Sequence, residues 1–479
     1  MSFKIFNSVL TKYTPEVGET DVVIPTGITA IGFDAFRGCK TLTSITIPAG
    51  VKVIGSNAFC DCTSLESVTI PDTVTTIHQW AFDGTPWLNS YPDDFVIVSK
   101  ELLLKYNGNA EAVAIPDSVT KICGGAFSSC KVLVSVNIPD SVTEIGGYAF
   151  YRCTALTSVN IPDSVTEIGY EAFTGCTSLK SIAIPYSVTK IDRDVFAGCT
   201  SLKSLTMFPG ITEIMYETFA KCKSLESLTI PEGVTLIDIA AFYGCCSLKS
   251  VTIPKSVTFI GDTAFEGCTS LTDITIPQGV TVIGDSAFEG CTSLKNVSIA
   301  DSVKYIGRES FSGCTSLKTV NIPTSVAVLS WDAFSDCISL EKLTIFGCTV
   351  DKRKWDWGKS PISFVKSMID RKDYTVKMDS PVKYMFVTQV FLNTSQPKAE
   401  NYIKENISDI IKYFIDEDDY ETVKALFESG RFITALNIMS IVDYSIEHTQ
   451  NGGDVQIQAY IIHYKNEHFP GSTRWHIPL

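Results

Sequence analysis

Cysteine is the residue type with the greatest chemical potential in this chain, which has 16 cysteines among 479 residues. Thiols can form disulfides, bind a metal ion, or pack as small apolar side chains. Twelve of them recur every 23 residues in two runs: Cys39 and Cys62, then Cys130, Cys153, Cys176, Cys199, Cys222, Cys245, Cys268, Cys291, Cys314 and Cys337. In a stacked repeat, equivalent residues lie about 4.8 Å apart with parallel side chains, which fits disulfide geometry poorly. The spacing therefore predicts a column of buried, reduced, structural thiols.

The other residue types that support catalysis or metal binding form no recognisable pattern. Four of the five histidines lie near the C-terminus, and His463 and His468 are five residues apart instead of the four that place two ligands on one helix face. The sequence has no pair of zinc-binding C-x2-C motifs, phosphate-binding loop, dinucleotide fingerprint or nucleophile elbow. We therefore predict no catalytic, cofactor-binding or metal-binding residues, and no enzymatic activity.

The cysteines belong to a longer repeating unit, and this unit determines where the remaining side chains lie. Residues 268–290 show one unit, CTSLTDITIPQGVTVIGDSAFEG, and thirteen units can be counted from Phe36 to Phe334. A fixed period in this range predicts a solenoid, in which each coil buries its apolar face against its neighbours. The L-x-S-V-x-I-P segment predicts a strand that ends at the proline, with Leu179, Ile182 and Ile184 facing inward in one coil.

The repeat is interrupted once, because Phe82 and Phe127 are 45 residues apart. The additional segment contains two apolar runs, Phe95–Val98 and Leu102–Tyr106, separated by polar residues, and this pattern predicts a hairpin. The sequence VLTKY at residues 9–13 resembles LLLKY at Leu102–Tyr106. Since the first coil of a solenoid needs its open edge covered, we predict that residues 1–24 form an N-terminal cap.

The remaining boundaries follow from changes in periodicity. We predict a solenoid over residues 25–345 with an irregular insertion at 85–114, a junction at 346–380, a small all-α bundle at 381–470 and a tail at 471–479. The prediction of the bundle is based on apolar residues that recur at helical spacing. One apolar face comprises Ile403, Ile407, Ile410, Ile411 and Phe414, and a later helix is predicted from Ile433, Leu436, Met439 and Val442.

Composition and charge restrict the partners. Hydrophobic residues make up 45% of the chain and charged residues 19%, which is typical of a globular protein. The net charge of −14 argues against nucleic acid and anionic membranes as partners, since both require basic patches. The first residues do not resemble a signal peptide, and no apolar run is long enough to span a membrane. These features predict a cytoplasmic protein that does not insert into membranes.

The unit C-T-S-L-x-S-V-x-I-P-x-x-V-x-x-I-G-x-x-A-F-x-G-C resembles the BspA-like class of leucine-rich repeats of bacterial proteins. The resemblance covers about residues 25–345 and implies a curved solenoid with parallel strands. It also implies a role in protein recognition or adhesion, without catalytic residues. Many proteins of this class are secreted or attached to the cell surface, so a surface location is the alternative to the cytoplasmic one.

We therefore predict a non-enzymatic scaffold that binds a protein, or a glycan, on its repeat surface. One alternative is an architectural spacer whose C-terminal helical bundle makes the partner contact, and a more remote one is an adhesin exported without a visible signal. Identical coils present identical surfaces, so selectivity must come from aromatic residues at irregular positions. The predicted partner-binding residues are Trp80, Trp87, Tyr91, Phe95, Tyr148, Tyr170, Tyr216 and Trp331. The oligomeric state is left open.

Overall fold

The computed structural model of the chain describes residues 2–207, 209–323, 325–330, 332–345, 348–351 and 397–470, together with isolated positions between 384 and 395. The predicted junction lies almost entirely outside the described residues. The chain forms two compact units. The first comprises Met1–Lys318, Ser325–Val328 and Ala333–Leu340, and the second comprises Thr319–Thr324, Leu329–Asp332 and Glu341–Leu479.

Each coil contains a leading strand of three or four residues and a trailing strand of two. In the coil that begins at Leu179, the leading strand is Ser181–Ile184 and the trailing strand is Lys190–Ile191. Leu179, Ile182 and Ile184 are all buried, which confirms their predicted inward orientation. Alternate residues of an extended strand point to opposite faces, so the intervening Ser181 and Ala183 are exposed.

The described part of the chain contains fourteen leading strands, because Lys342–Ile345 adds one after the last repeat phenylalanine, whereas thirteen coils were predicted. The leading strands are Asp21–Val23 (β3), Ser44–Thr46 (β5), Ser67–Thr69 (β7), Ala112–Ala114 (β11), Ser135–Asn137 (β13), Ser158–Asn160 (β15), Ser181–Ile184 (β17), Ser204–Met207 (β19), Ser227–Thr229 (β21), Ser250–Thr252 (β23), Asp273–Ile276 (β25), Asn296–Ile299 (β27), Thr319–Ile322 (β29) and Lys342–Ile345 (β31).

The trailing strands are Ala30–Ile31 (β4), Val53–Ile54 (β6), Thr76–Ile77 (β8), Lys121–Ile122 (β12), Glu144–Ile145 (β14), Glu167–Ile168 (β16), Lys190–Ile191 (β18), Glu213–Ile214 (β20), Leu236–Ile237 (β22), Phe259–Ile260 (β24), Val282–Ile283 (β26), Tyr305–Ile306 (β28) and Val328–Leu329 (β30). The ladders are parallel with a register of one repeat, as in the pairs Ser181↔Ser204 and Glu167↔Lys190. The predicted parallel solenoid is therefore confirmed.

A column of phenylalanine rings runs through the core. From Phe127 to Phe334, the rings of successive coils stack with centroids 5.0–5.6 Å apart. Twelve of the thirteen repeat phenylalanines are among the largest fully buried side chains. Ring stacking at this separation adds to the free energy gained by burying each side chain, so this run of the column links consecutive coils to one another.

The repeat cysteines form a second column. Ten of the twelve are buried as predicted, while Cys130 and Cys337 are half-buried, and the described cysteines are unpaired thiols. The thiols also make a contact that the sequence did not indicate. In ten coils Sγ donates to the carbonyl of the phenylalanine 26 residues earlier, as in Cys199 to Phe173 at 3.2 Å. The column thus satisfies a carbonyl oxygen in each turn, in addition to filling volume.

Among the cysteines whose burial the structure describes, we expect native protein to react with iodoacetamide fastest at the half-buried thiols Cys130, Cys246 and Cys337. The half-buried Cys60 should react more slowly, because burial raises the pKa of its thiol to about 11. The thiolate is the nucleophile, and burial raises the pKa of Cys245 and Cys291 to about 12, so little thiolate forms near neutral pH. Peptide mapping after labelling, with a urea-denatured sample as the control, measures this difference. Rapid native labelling of the buried register thiols would contradict the arrangement.

The second unit contains the C-terminal helices and an antiparallel pair of strands, β31 and Cys348–Asp351 (β32). A short helix in the first unit, Pro86–Asn89, is numbered α1. The C-terminal helices whose bounds lie within the described residues are Pro397–Asp416 (α2), Tyr420–Glu428 (α3), Ile438–Gln450 (α4) and Val455–His468 (α5). The predicted apolar face of α2 is buried throughout, from Ile403 to Phe414.

The start predicted for the later helix is wrong. Helix α4 begins at Ile438, and Leu436 is 95% exposed. The side chain of Asn437 accepts a hydrogen bond from the Thr434 N–H and donates one to the Phe432 carbonyl. These bonds close a turn before the helix, so Leu436 is not on its apolar face.

Candidate functional site

The predicted hairpin is present at the interruption, with Phe95–Val98 (β9) antiparallel to Leu102–Tyr106 (β10). A second hairpin, Ser2–Phe6 (β1) and Val9–Thr14 (β2), lies at the N-terminus. Each enters its ladder in the same way: β2 pairs in parallel with β4, and β10 pairs in parallel with β12. Both hairpins also contain a register shift.

The aromatic residues of the two hairpins correspond as well. The Tyr13 ring lies 4.8 Å from Phe36, and the Tyr106 ring lies 5.2 Å from Phe127, so each tyrosine begins a run of the phenylalanine column. Phe3 packs on Tyr13 as Phe95 packs on Tyr106, at 5.4 and 5.2 Å. The interruption is therefore a second cap, placed inside the chain.

We define the first block as residues 2–92, the second block as residues 95–318, and the seam as the boundary between them. The leading strands of the blocks belong to separate sheets, β3-β5-β7 and β11-β13-β15. At the seam, α1 follows the last coil of the first block. The Trp87 N–H donates to the Leu65 carbonyl at 2.8 Å, and the Trp87 ring lies 4.9 Å from Phe82.

The internal cap differs from the N-terminal cap in what covers it. Val98 is 8% exposed, whereas Phe6, at the same position of the N-terminal hairpin, is 70% exposed. Leu104 is 6% exposed, whereas the equivalent Thr11 is exposed. A solenoid end that faces water requires a polar outer surface. The replacement of the polar Thr11 by the apolar Leu104 therefore suits a face that the first block covers.

Polar contacts across the seam fix the position of the hairpin. The Asn107 side chain donates to the Leu88 carbonyl, and the Ser99 hydroxyl donates to the Pro71 carbonyl, both at 3.1 Å. Lys105 lies 3.6 Å from Asp83. These contacts join the two blocks at several points around the coil.

Aromatic side chains also span the seam. The Trp80 ring, from the first block, lies 4.6 Å from Tyr148, and Tyr148 lies 5.1 Å from Tyr170. The Tyr148 hydroxyl donates to Glu171 Oε1 at 2.5 Å. Glycine allows this packing, since a Cβ on Gly147 would lie only 2.8 Å from the Tyr170 ring. Three predicted partner-binding residues, Trp80, Tyr148 and Tyr170, are thus in one cluster.

A row of side chains continues from this cluster along consecutive coils. We call Tyr170, Arg193, Tyr216 and Ile239 the aromatic ridge. The Arg193 guanidinium lies 5.9 Å from the Tyr170 ring centre, and Tyr216 and Ile239 are 39% and 41% exposed.

Carboxylates lie beside the ridge. Burial, with the neighbouring Glu217 and Glu171 carboxylates, raises the pKa of Asp194 to about 6. The Glu171 N–H donates to the Arg193 carbonyl, and the Asp194 N–H donates to the Tyr216 carbonyl, so the acidic residues run beside the ridge from coil to coil. The ridge therefore combines aromatic and aliphatic surface with a strip of negative charge.

Two clefts flank the Trp80–Tyr148 contact. One has a volume of about 220 Å³ and runs along the trailing strands, where its lining includes Gln79, Lys121, Glu144 and Tyr170. The other has a volume of about 390 Å³ and lies behind Trp80. Both clefts are lined by residues from the two sides of the seam.

The other predicted site residues occupy different places. Trp87 and Tyr91 are half-buried, with ring centroids 6.2 Å apart, and both pack on a hydrophobic core cluster that spans the seam. Phe95 is half-buried against Tyr106. Tyr216 is on the ridge, separate from the seam, and Trp331 lies outside the described residues. Their roles in binding stay predictions.

Sequence reasoning missed Tyr151, which lines the larger cleft. The residue type at its position, directly after the repeat phenylalanine, varies between coils, and that variation was the available signal.

Within the described ranges, no group of three or more His, Cys, Asp and Glu side chains could hold a metal ion. Over the same part of the chain, no helix has the length and apolar character needed to cross a membrane.

These coils, with their buried leucine, short parallel strand and stacked phenylalanine, define a leucine-rich-repeat solenoid. The protein-family model described as "BspA type Leucine rich repeat region" matches residues 17–92, 100–226 and 212–341 of the sequence. The chain therefore belongs to the BspA-type leucine-rich-repeat family. The first two matches are separated by residues 93–99, where the internal hairpin begins.

Solved structures of bacterial leucine-rich-repeat proteins are similar to this chain. One from Bacteroides ovatus is 30% identical, with 68% of this chain and 93% of that chain covered and a TM-score of 0.43. A leucine rich cell surface protein from Faecalibacterium prausnitzii is 29% identical, with 71% and 92% covered and a TM-score of 0.35. No curated protein matches the chain. Leucine-rich-repeat proteins generally act as protein-interaction or adhesion scaffolds and are typically non-enzymatic.

Proposed function

We propose that this protein is a non-enzymatic scaffold that binds a protein partner through the aromatic ridge. The observation that carries the proposal is the exposure of Tyr216 and Ile239 in consecutive coils, next to Arg193 and Tyr170. Tyrosine and arginine dominate the binding energy of protein interfaces. By contrast, the leading strands present small polar residues such as Ser181 and Ser204, which offer little contact area.

Charge supports a partner with a basic contact surface. The carboxylates of Glu171, Asp194 and Glu217 interact beside the ridge, and the chain has a net charge of −14. Complementary potentials accelerate association and exclude partners of the same charge. We therefore expect the partner to present lysine or arginine residues around an apolar centre.

The proposal predicts that replacing both Tyr216 and Ile239 by alanine weakens partner binding by about tenfold or more, because truncating a hot-spot residue costs about 2 kcal/mol. Full-length chain captures the partner from cell extract, and surface plasmon resonance then compares the variants. Phe33→Ala is the matched control, because Phe33 is 65% exposed in the same column of the repeat but lies in the first block. Equal affinities for the double variant and the control would refute the ridge as the binding surface.

The alternative, a spacer whose helical unit makes the contact, also has an observation in its favour. Leu436 and Val455 are 95% and 64% exposed on the helical unit. Loss of the captured partner on Leu436→Asp and Val455→Asp, with full retention by the ridge variant, would favour this function. A cytoplasmic location stays a prediction, and the cell-surface description of the F. prausnitzii protein keeps the surface alternative open.

A further inference from the structure

The larger cleft at the seam, which we call the seam cleft, arises from one missing turn. In a regular coil, the phenylalanine is followed by a turn that fills the outer side of the stack. The internal hairpin instead continues through Lys105, Tyr106 and Asn107. As a result, Asp83 and Ser128, which directly follow Phe82 and Phe127, line opposite sides of an open space of about 390 Å³. That volume is within the range of small-molecule sites, about 300–1,000 Å³.

The cleft has two aromatic walls whose positions are fixed by their neighbours. Trp80 contributes one wall and is held against Tyr148, with 4.6 Å between the ring centroids. Tyr151 contributes the other and lies 5.3 Å from the Tyr148 ring, with the Arg152 guanidinium 5.1 Å from its ring centre. A site whose aromatic groups are already ordered avoids part of the entropic cost of binding.

Three polar side-chain groups of the cleft have no hydrogen-bond partner within the described part of the chain. The indole N–H of Trp80 and the hydroxyls of Ser128 and Ser129 make no hydrogen bond there. The two charged residues of the lining, Lys105 and Asp83, lie 3.6 Å apart and balance each other. The cleft therefore offers neutral donors and acceptors beside aromatic faces, without net charge.

We propose that the seam cleft binds a neutral saccharide of one or two pyranose rings. The C–H face of a pyranose stacks on an aromatic ring, while its hydroxyls require several short-range donors and acceptors. The Trp80 and Tyr151 rings provide the stacking surfaces, and Ser128, Ser129 and the Trp80 N–H provide the hydrogen-bonding groups. An anionic sugar would meet Asp83, and a purely apolar group would leave these polar groups unmatched. This activity goes beyond protein binding by the aromatic ridge.

Ser128→Tyr tests the proposal by filling the cleft. The fold accepts tyrosine at this position, because Tyr151 and Tyr243 occupy it in two other coils. Glu289→Tyr is the matched control, since residue 289 has the same place in a coil far from the seam. The probe is a panel of neutral mono- and disaccharides at millimolar concentration, measured against the full-length chain by saturation-transfer NMR and then by calorimetry.

We expect wild-type protein and Glu289→Tyr to bind a subset of these sugars, and Ser128→Tyr to bind them at least about tenfold more weakly. Trp80→Phe should reduce affinity less, since it keeps a ring and removes the N–H. Failure of the wild type to bind any sugar in the panel would overturn the proposal, as would unchanged binding by Ser128→Tyr. If Ser128→Tyr instead abolished capture of a protein partner, the cleft would be a protein pocket and the saccharide assignment would be wrong. The ridge variant tests protein binding separately.

Discussion

Replacing Phe196 by alanine will lower the free energy of unfolding by about 3–5 kcal/mol, the usual cost of truncating a fully buried phenylalanine. Its ring is 0% exposed and stacks on Phe173 and Phe219, at 5.6 and 5.5 Å. The change leaves a cavity that rigid neighbouring coils cannot fill, because each is held by its own ladder bonds. In a solenoid, loss of one interface also uncouples the coils on either side. Denaturation in urea, followed by far-UV circular dichroism, measures the loss.

Phe33→Ala is the control for this prediction as well. Phe33 is 65% exposed and lies outside the stacked column, so its truncation should change the stability by no more than about 0.5 kcal/mol. A second transition in the Phe196→Ala denaturation curve would be consistent with uncoupled coils. Comparable stability losses for the two variants would show that the phenylalanine column is not the main source of cohesion between coils.

Leu104→Lys will detach the first block from the second. Leu104 is 6% exposed on the internal hairpin and belongs to the hydrophobic cluster that spans the seam, so a lysine there would replace apolar contacts by a charge, at a cost of several kcal/mol. The hairpin itself tolerates polar residues at this position, since the equivalent Thr11 of the N-terminal cap is exposed. We therefore expect loss of docking without unfolding of the second block.

Thr11→Lys is the matched control and should leave stability unchanged within about 0.5 kcal/mol. Hydrogen exchange with mass spectrometry distinguishes the outcomes: in Leu104→Lys, amide protection should fall in residues 2–92 and persist in residues 112–318. Limited trypsin digestion should also accelerate at Lys100 or Lys105 in that variant. Uniform loss of protection along the whole solenoid would mean that the blocks fold as a single unit and that the internal hairpin is not a cap.

The repeat pattern contained most of the information on the architecture. Leu179, Ile182 and Ile184 could be assigned to the interior because alternation along a strand is local and repeats in every coil. Both strands of the internal hairpin were also predictable, since Phe95–Val98 and Leu102–Tyr106 are short apolar runs around a polar turn. The similarity of VLTKY to LLLKY indicated a shared role, which the common pairing with the next trailing strand explains.

Periodicity was less reliable where a side chain competes with it. Leu436 fits the spacing of a helix face, yet the hydrogen bonds of Asn437 close a turn that delays the start of α4 to Ile438. The spacing of hydrophobic residues shows only which positions are apolar. It does not show which backbone groups form hydrogen bonds with a neighbouring side-chain amide, such as that of Asn437.

The sequence by itself thus determined the coil, its inward-facing strand positions and the place where the repeat is interrupted. These follow from local alternation and a fixed period, which every coil imposes on the next. Only the tertiary structure decided what the interruption creates: the contact of Trp80 with Tyr148, and the cleft between Asp83 and Ser128. The physical reason is that these residues lie in different blocks. Their distances depend on how an apolar hairpin face docks against the preceding coil, and no period in the sequence describes that contact.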